Sequence, residues 1–258
     1  MYELNKYIEY EAGNIPLILS VPHGGQLKCD SIPQRTVGVL GIDRGTIDLT
    51  KNLIKQISIE FENSNEGFKS PFNIISRVRR SKIDLNRIEY EAFNQNSFLA
   101  REIYRFYHYK IEELILRNLK IYNRSLLIDI HGFESADRPQ GFRDVDIILG
   151  TNNLESLFSK PVKKRDWDKN IRGNIINSML QLGIPVAPGH PRRKEYVLTG
   201  GYITTQYGAS RFLKSQTIQI EFSDRLRLFD KSLRKKAIKT LAHILFEELL
   251  GSNPLMKR

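Results

Sequence analysis

Three short apolar runs in this chain each deliver a side chain able to bind a metal or carry a proton. His23 follows Leu17-Ile18-Leu19-Ser20-Val21-Pro22, His131 follows Leu126-Leu127-Ile128-Asp129-Ile130, and Glu221 follows Thr217-Ile218-Gln219-Ile220. Runs of this kind predict buried strands, and chemistry in α/β sheets gathers where strands end. Two imidazoles and a carboxylate at such ends predict a metal-hydrolase centre. Catalytic zinc commonly takes two His and a carboxylate and keeps a position for water. Pro22 and the Gly24-Gly25 pair permit a tight exit that presents His23 to a cleft. Asp129 lies two residues before His131 and so on the same strand face. There it can accept a hydrogen bond from an imidazole and set its tautomer.

The third ligand has two candidates. Asp43, in Gly41-Ile42-Asp43-Arg44-Gly45-Thr46, opens the first predicted helix, where an ordinary N-cap is the competing role. Glu134 is the rival, because His131-Gly132-Phe133-Glu134 spells H-x-x-E. That spacing serves joint ligation on a helix, whereas Gly132 directly after a strand predicts a loop, so Asp43 is preferred. Glu221 is costly at the end of a buried strand unless it is paired or functional. Near a metal it could accept the proton of a water and pass it to a leaving nitrogen; an ion pair with Arg225 or a neighbouring Arg is the structural alternative.

Four arginines, Arg77, Arg79, Arg80 and Arg87, surround one strand end. Guanidinium forks suit carboxylate recognition and oxyanion stabilisation, although a solvated basic loop would have the same composition. Gly200-Gly201-Tyr202 marks a turn into a helix whose N–H groups could face an anion, which predicts a substrate-side wall. His108 and His243 fall on amphipathic helical patterns as surface or packing residues, and His190 lies in a loop with its role open.

The elements that must position these groups follow from periodicity. Strand-like runs cover 16–21, 72–77, 125–130, 145–149, 184–187 and 217–222. Helical spacing links Ile47, Thr50, Ile54, Ile57 and Phe61, then Ile103, Tyr107, Ile111, Leu114 and Ile115. It recurs in Leu233, Ala237, Leu241, Ile244 and Leu245, with Asp230 or Ser232 as the cap, and a fourth helix is predicted over 170–182, closed by Gly183. Strands alternating with helices predict one α/β domain over residues 1–258 with a mixed, mostly parallel sheet.

Composition narrows the function classes. The chain has 258 residues, 40% hydrophobic, enough for a sizeable core. Its one cysteine, Cys29, excludes an intrachain disulfide and a thiolate metal cage. No signal-peptide pattern or membrane-length apolar run is found, so the expectation is a soluble cytoplasmic protein. The formal charge is +11, but the basic residues are scattered among acids, and Arg234-Lys235-Lys236 with Lys239 reads as the solvated face of a helix. Nucleic acid is therefore set aside as a partner, while a positive field would attract small anions.

Taken together, Val21-Pro22-His23-Gly24-Gly25, Asp43, Ile83-Asp84-Leu85-Asn86-Arg87, Asp129-Ile130-His131-Gly132, Gly200-Gly201-Tyr202-Ile203-Thr204 with Tyr207-Gly208, and Gln219-Ile220-Glu221 resemble the N-formylglutamate amidohydrolase family. The resemblance implies a three-layer α/β/α fold of the phosphorylase/hydrolase, zinc carboxypeptidase-like kind, one Zn2+ per chain, and hydrolysis of the amide bond of an N-acyl amino acid. It implies that His23, Asp43 and His131 hold zinc, that Glu221 is the general base, and that Asn86 and Arg87 grip a substrate carboxylate. Arg79 or Arg80 would polarise the carbonyl. The chain departs from the family pattern at Gly24 and at Gly132-Phe133-Glu134. Competing expectations are a metallo-carboxypeptidase or cell-wall peptide amidase on short peptides, and a non-catalytic binding protein for small molecules.

Overall fold

The computed structural model describes residues 4–137, 144–196 and 198–251. Seven strands form one mixed sheet: β1 (Ile8–Glu11), β2 (Leu17–Val21), β3 (Phe72–Ser76), β4 (Ser125–Phe133), β5 (Ile147–Gly150), β6 (Val186–Ala187) and β7 (Ser215–Ser223), in the order β1-β3-β2-β4-β7-β5-β6. The four inner strands β3, β2, β4 and β7 run parallel, so their C-terminal ends open on one rim of the sheet. β1 is antiparallel to β3, and β5 is antiparallel to β7 while parallel to β6.

Helices cover both faces, giving an α/β fold. The helices are α1 (Thr46–Asn63), α2 (Glu89–Ala92), α3 (Phe98–Tyr122), α4 (Ile171–Gln181), α5 (Tyr202–Tyr207) and α6 (Lys231–Leu250). Strand alternation divides the core. Leu17, Leu19 and Val21 face α1, α4 and α6, whose Leu49, Leu53, Ile57, Ile175, Leu241 and Leu245 close that layer. Ile18 faces the other way, toward Ile103, Tyr107 and Ile111 of α3 and Ile203 of α5. Asp230, one of the two expected caps, accepts from the Leu233 amide, and Asn170, expected as the first residue of α4, caps it by accepting from the Gly173 amide. No helix among the described residues is long and apolar enough to cross a membrane.

Two boundaries differ from the sequence expectation in ways that bear on the site. β4 and β7 continue past His131 and Glu221, to Phe133 and Ser223. Gly132 is therefore strand, not loop, and His131 is paired directly with Glu221 in the parallel register. The edge strand β1 lacked an apolar run, because half of it is Glu.

His108 is a packing residue, buried between α3 and α5 with Nδ1 2.8 Å from the Tyr207 hydroxyl, whereas His243 is exposed beside Glu60. Burial pushes the His108 ring down to about 4 from 6.5. The unfolded chain then takes up the proton first. This contribution to stability is complete above about pH 6.5, declines as pH falls through that value, and is gone below about pH 4. Urea unfolding of wild type against His108→Leu at pH 7.5 and 4.5 is expected to show the wild type losing on the order of 2–3 kcal/mol relative to the variant at the acid end. A pH-independent difference would refute that linkage.

Candidate metal centre

The strand ends bring three ligand atoms to one point. His23 Nδ1 and His131 Nδ1 lie 3.2 Å apart, and Asp43 Oδ2 lies 3.6 Å from the first and 3.4 Å from the second. All three residues are buried. His23 leaves the end of β2 and His131 sits in β4. Asp43 belongs to the turn before α1, where its backbone amide bonds to the His23 carbonyl at 3.1 Å. The N-cap position of α1 is Gly45, in the left-handed region at φ 82° and without a side-chain cap bond. The Asp43 carboxylate is thus spared from capping and turns into the cluster, where Oδ2 also accepts the Gly132 amide at 3.1 Å.

The far nitrogen of each imidazole meets its own carboxylate. His23 Nε2 is 2.7 Å from Asp84 Oδ1, and His131 Nε2 is 2.8 Å from Asp129 Oδ2. An ionised carboxylate only accepts, so each ring donates its Nε2 proton outward and turns Nδ1 inward, where it carries either a proton shared with Asp43 or, in the neutral ring, a lone pair for a cation. Two ring nitrogens and one carboxylate oxygen converge within 3.2–3.6 Å of one another, which is repulsive unless protons or a cation lie between them. A tetrahedral ion with ligands at about 2.0–2.1 Å requires ligand atoms about 3.3–3.4 Å apart. The observed triangle fits that requirement, and the His/His/Asp donor set suits zinc.

Electrostatics agree with a site built for positive charge. Burial would lower His131, but Asp129 and then Asp43 reverse this and hold the ring well above the ordinary imidazole range. Burial would raise Asp43, yet the hydrogen bonds with His131 and His23 keep it far below the usual carboxylate range. Asp84 behaves likewise: burial is outweighed by His23, then Arg80 and Arg35.

The outer carboxylates are themselves held. Ser20 Oγ donates to Asp129 Oδ1 at 2.7 Å; since that spends its only proton, Tyr107 donates to Ser20 Oγ at 2.8 Å. Asp84 Oδ2 accepts from Arg80 Nε at 3.1 Å and Arg87 Nε at 3.3 Å, with Arg35 Nη1 at 3.5 Å.

Glu221 stands across from His131 on β7. Gln219, two residues earlier on the same face, donates from Nε2 to Glu221 Oε1 at 2.8 Å. The Gln219 carbonyl is pinned by the Gly201 amide at 2.7 Å and by Asn86 Nδ2 at 3.2 Å. Burial pushes the Glu221 carboxyl up, the nearby Asp43 charge adds to this, and His131, His23 and Arg80 oppose it. Arg225, its possible structural partner in the sequence, pairs instead with Asp146 and Asp230.

The remaining sequence candidates divide. Arg80 reaches the cluster, with Nη1 3.7 Å from Asp43 Oδ1, whereas Arg79 donates to the Gln26 carbonyl. The Asn86 side chain is engaged on both ends, its oxygen accepting the Ile203 amide at 2.8 Å; Gly201 is required there, because a Cβ would overlap Asn86. Tyr202 opens α5 beside that contact. Arg87 is half exposed on the wall of a cleft of about 450 Å³ that Arg35, Val37, Tyr90 and Phe93 also line. Glu134 is drawn away from the cluster to Arg227 at 3.2 Å. His190 Nδ1 accepts the Arg192 amide within its own loop.

The fold has known counterparts. An N-formylglutamate amidohydrolase from Ralstonia eutropha JMP134 is similar at a TM-score of 0.63 and 14% identity, with 95% of this chain and 97% of that chain covered. A gene product from Agrobacterium tumefaciens is similar at 0.57 and 15%, with 97% and 96% covered. No protein-family model and no curated protein matches the sequence. At these identities the likeness is one of fold.

The sequence assigns no part in the chemistry to Asp84, Gln219, Ser20 or Tyr107. For Asp84 the available signal was a charge between two buried apolar residues, Ile83 and Leu85, which only a partner justifies.

Proposed function

We propose that residues 1–258 form one N-formylglutamate amidohydrolase-like domain, a zinc-dependent hydrolase that cleaves the amide bond of a small N-acyl amino acid or short peptide. The observation that carries this reading is the convergence of His23 Nδ1, His131 Nδ1 and Asp43 Oδ2, each ring backed by a carboxylate. The likeness in fold to an amidohydrolase supports it.

His23, Asp43 and His131 would hold the ion. A divalent cation there supplies Lewis acidity and makes a water more acidic. Asp84 and Asp129 keep the two rings in the tautomer that offers Nδ1. Glu221 accepts a proton from the attacking water and returns it to the departing nitrogen. Gln219 occupies Oε1, which orients Oε2 as the accepting atom. Its raised carboxyl pKa brings that base closer to neutrality, where proton transfer in both directions is efficient. Arg80, beside Asp43, faces the position where negative charge develops on the carbonyl oxygen, and is preferred over Arg79 for this role. Arg87, with guanidinium surface open to the cleft, takes the substrate carboxylate. Asn86, with Gly201 and Tyr202, forms the substrate-side wall next to Gln219, since its amide is committed to Gln219 and Ile203.

The test is a metal-replete hydrolysis screen of N-acyl amino acids and short peptides, with metal content measured on the same sample. Release of the free amino acid in proportion to bound zinc is the expected result. Stoichiometric zinc without hydrolysis of any substrate would favour a binding protein.

A further inference from the structure

One buried guanidinium touches the segments that carry Asp43, His131 and Glu221, and none of those three side chains. Arg227 lies in the π-helical turn Arg225–Phe229 after β7 and is 1% exposed. Its Nε donates to the Phe222 carbonyl at 2.9 Å and its Nη2 to the Phe133 carbonyl at 3.0 Å. Nη1 donates to the Arg44 carbonyl, and Nη2 also reaches Glu134 Oε1 at 3.2 Å. Phe222 follows Glu221, Arg44 follows Asp43, and Phe133 lies two residues beyond His131. Between them, Gly132 lies flat against the guanidinium, where any Cβ would overlap it, and its amide holds Asp43 Oδ2.

Burying an arginine is costly, and an apolar side chain would fill the same space more cheaply. The planar fork does something an apolar side chain cannot: its donors stand at fixed angles, so three carbonyls bonded to it have fixed separations. β4 and β7 are already tied by their ladder, but the Asp43 turn reaches the sheet through few backbone bonds. The π turn, closed by the Asp230 amide on the Arg225 carbonyl at 2.8 Å, departs from α geometry where this side chain turns back under the strand ends; such turns occur often at functional sites.

We propose that Arg227 is a positioning residue that sets the separation of Asp43, His131 and Glu221, and so the metal affinity of the cluster. The proposal rests on the reading of the cluster as a metal centre. It is tested on the full chain with Arg227→Lys and a matched control, Arg172→Lys. Arg172 is equally buried and bonds the Pro191 and Arg193 carbonyls and Glu195, none of which touches the cluster.

Zinc affinity is measured by competition with a chromophoric chelator, and stability by urea unfolding. Both variants are expected to lose stability, but only R227K should also lose zinc affinity, by roughly 10–100-fold. Should R227K not fold, Gly132→Ala pushes the guanidinium aside from the opposite face and is expected to give the same loss. Zinc affinity at the wild-type level in R227K, or an equal loss in R172K, would reduce Arg227 to a structural residue. A wild-type chain that itself binds no zinc would overturn the metal-centre reading and this proposal with it, an outcome told apart because the variants are not needed to see it.

Discussion

Glu221→Gln is expected to lower kcat by roughly 10²–10⁴-fold, the range typical of a lost general base, while the zinc content stays at the wild-type level. The substitution is close to isosteric. Gln219 Nε2 now donates to a carboxylate oxygen of Glu221 at 2.8 Å, and an amide at position 221 can offer its carbonyl to the same donor. The strand pairing with His131 and the ring contacts of the cluster do not depend on the Glu221 charge. What disappears is the second, proton-accepting oxygen, replaced by an amide nitrogen that cannot accept. KM should change little, because Glu221 is assigned no ground-state contact with the substrate. The measurement pairs steady-state kinetics on the best substrate of the screen with metal analysis of the same preparation. Retained turnover would remove Glu221 from the mechanism. Lost zinc would show instead that its charge is needed to bind the ion.

How much of this was legible beforehand depended on how local each signal is. The apolar runs of β2, β4 and β7 announced buried parallel strands, and the polar residue after each run marked His23, His131 and Glu221. Helical periodicity located α1, α3 and α6, Gly183 marked the end of α4, and short-range cap chemistry narrowed the start of α6 to Asp230 or Ser232, of which the fold uses Asp230. Long-range pairings left no such trace. Asp84 meets His23 from 61 positions away, and nothing beside it in the chain reports that contact. Asp43 looked equally like a helix cap and a ligand, because the choice is made by Gly45, whose left-handed backbone takes the cap position and needs no side chain. Gly132 pointed to a loop for a sound local reason, yet in the fold it is a strand glycine of the kind that marks a close approach. The approaching group is Arg227, contributed by a turn far along the chain. β1 went unseen because Ile8-Glu9-Tyr10-Glu11 is an edge strand whose half-exposed face carries charge, as edges commonly do.

Asp84→Asn is expected to cost more than any other single substitution among the residues outside the ligand triangle, in zinc affinity and in stability together. The carboxylate is fully buried and every neighbour points a donor at it: His23 Nε2 and the Asn86 amide on Oδ1, Arg80 and Arg87 on Oδ2, with Arg35 close by. An amide must place its NH2 against one of these sets. Facing the arginines, it opposes donors with donors and leaves three guanidinium groups with one anion fewer. Facing His23, it can be accepted only if the ring moves its proton to Nδ1, which removes the lone pair aimed at the ion. Either arrangement disables part of the centre. A loss of roughly 10–100-fold in zinc affinity follows, with destabilisation on the order of 3–5 kcal/mol from leaving buried charge unpaired. Asp129→Asn makes the informative comparison. Its second oxygen meets only the Ser20 hydroxyl, which can rotate to accept rather than donate, so the amide oxygen can stay on His131 Nε2 and keep its tautomer, and both zinc affinity and stability should fall less than in Asp84→Asn. Urea unfolding in the presence of chelator separates the two effects, because bound metal would otherwise stabilise the wild type by mass action. An Asp84→Asn protein that holds zinc as tightly as wild type would show that the His23 tautomer is not set by this carboxylate.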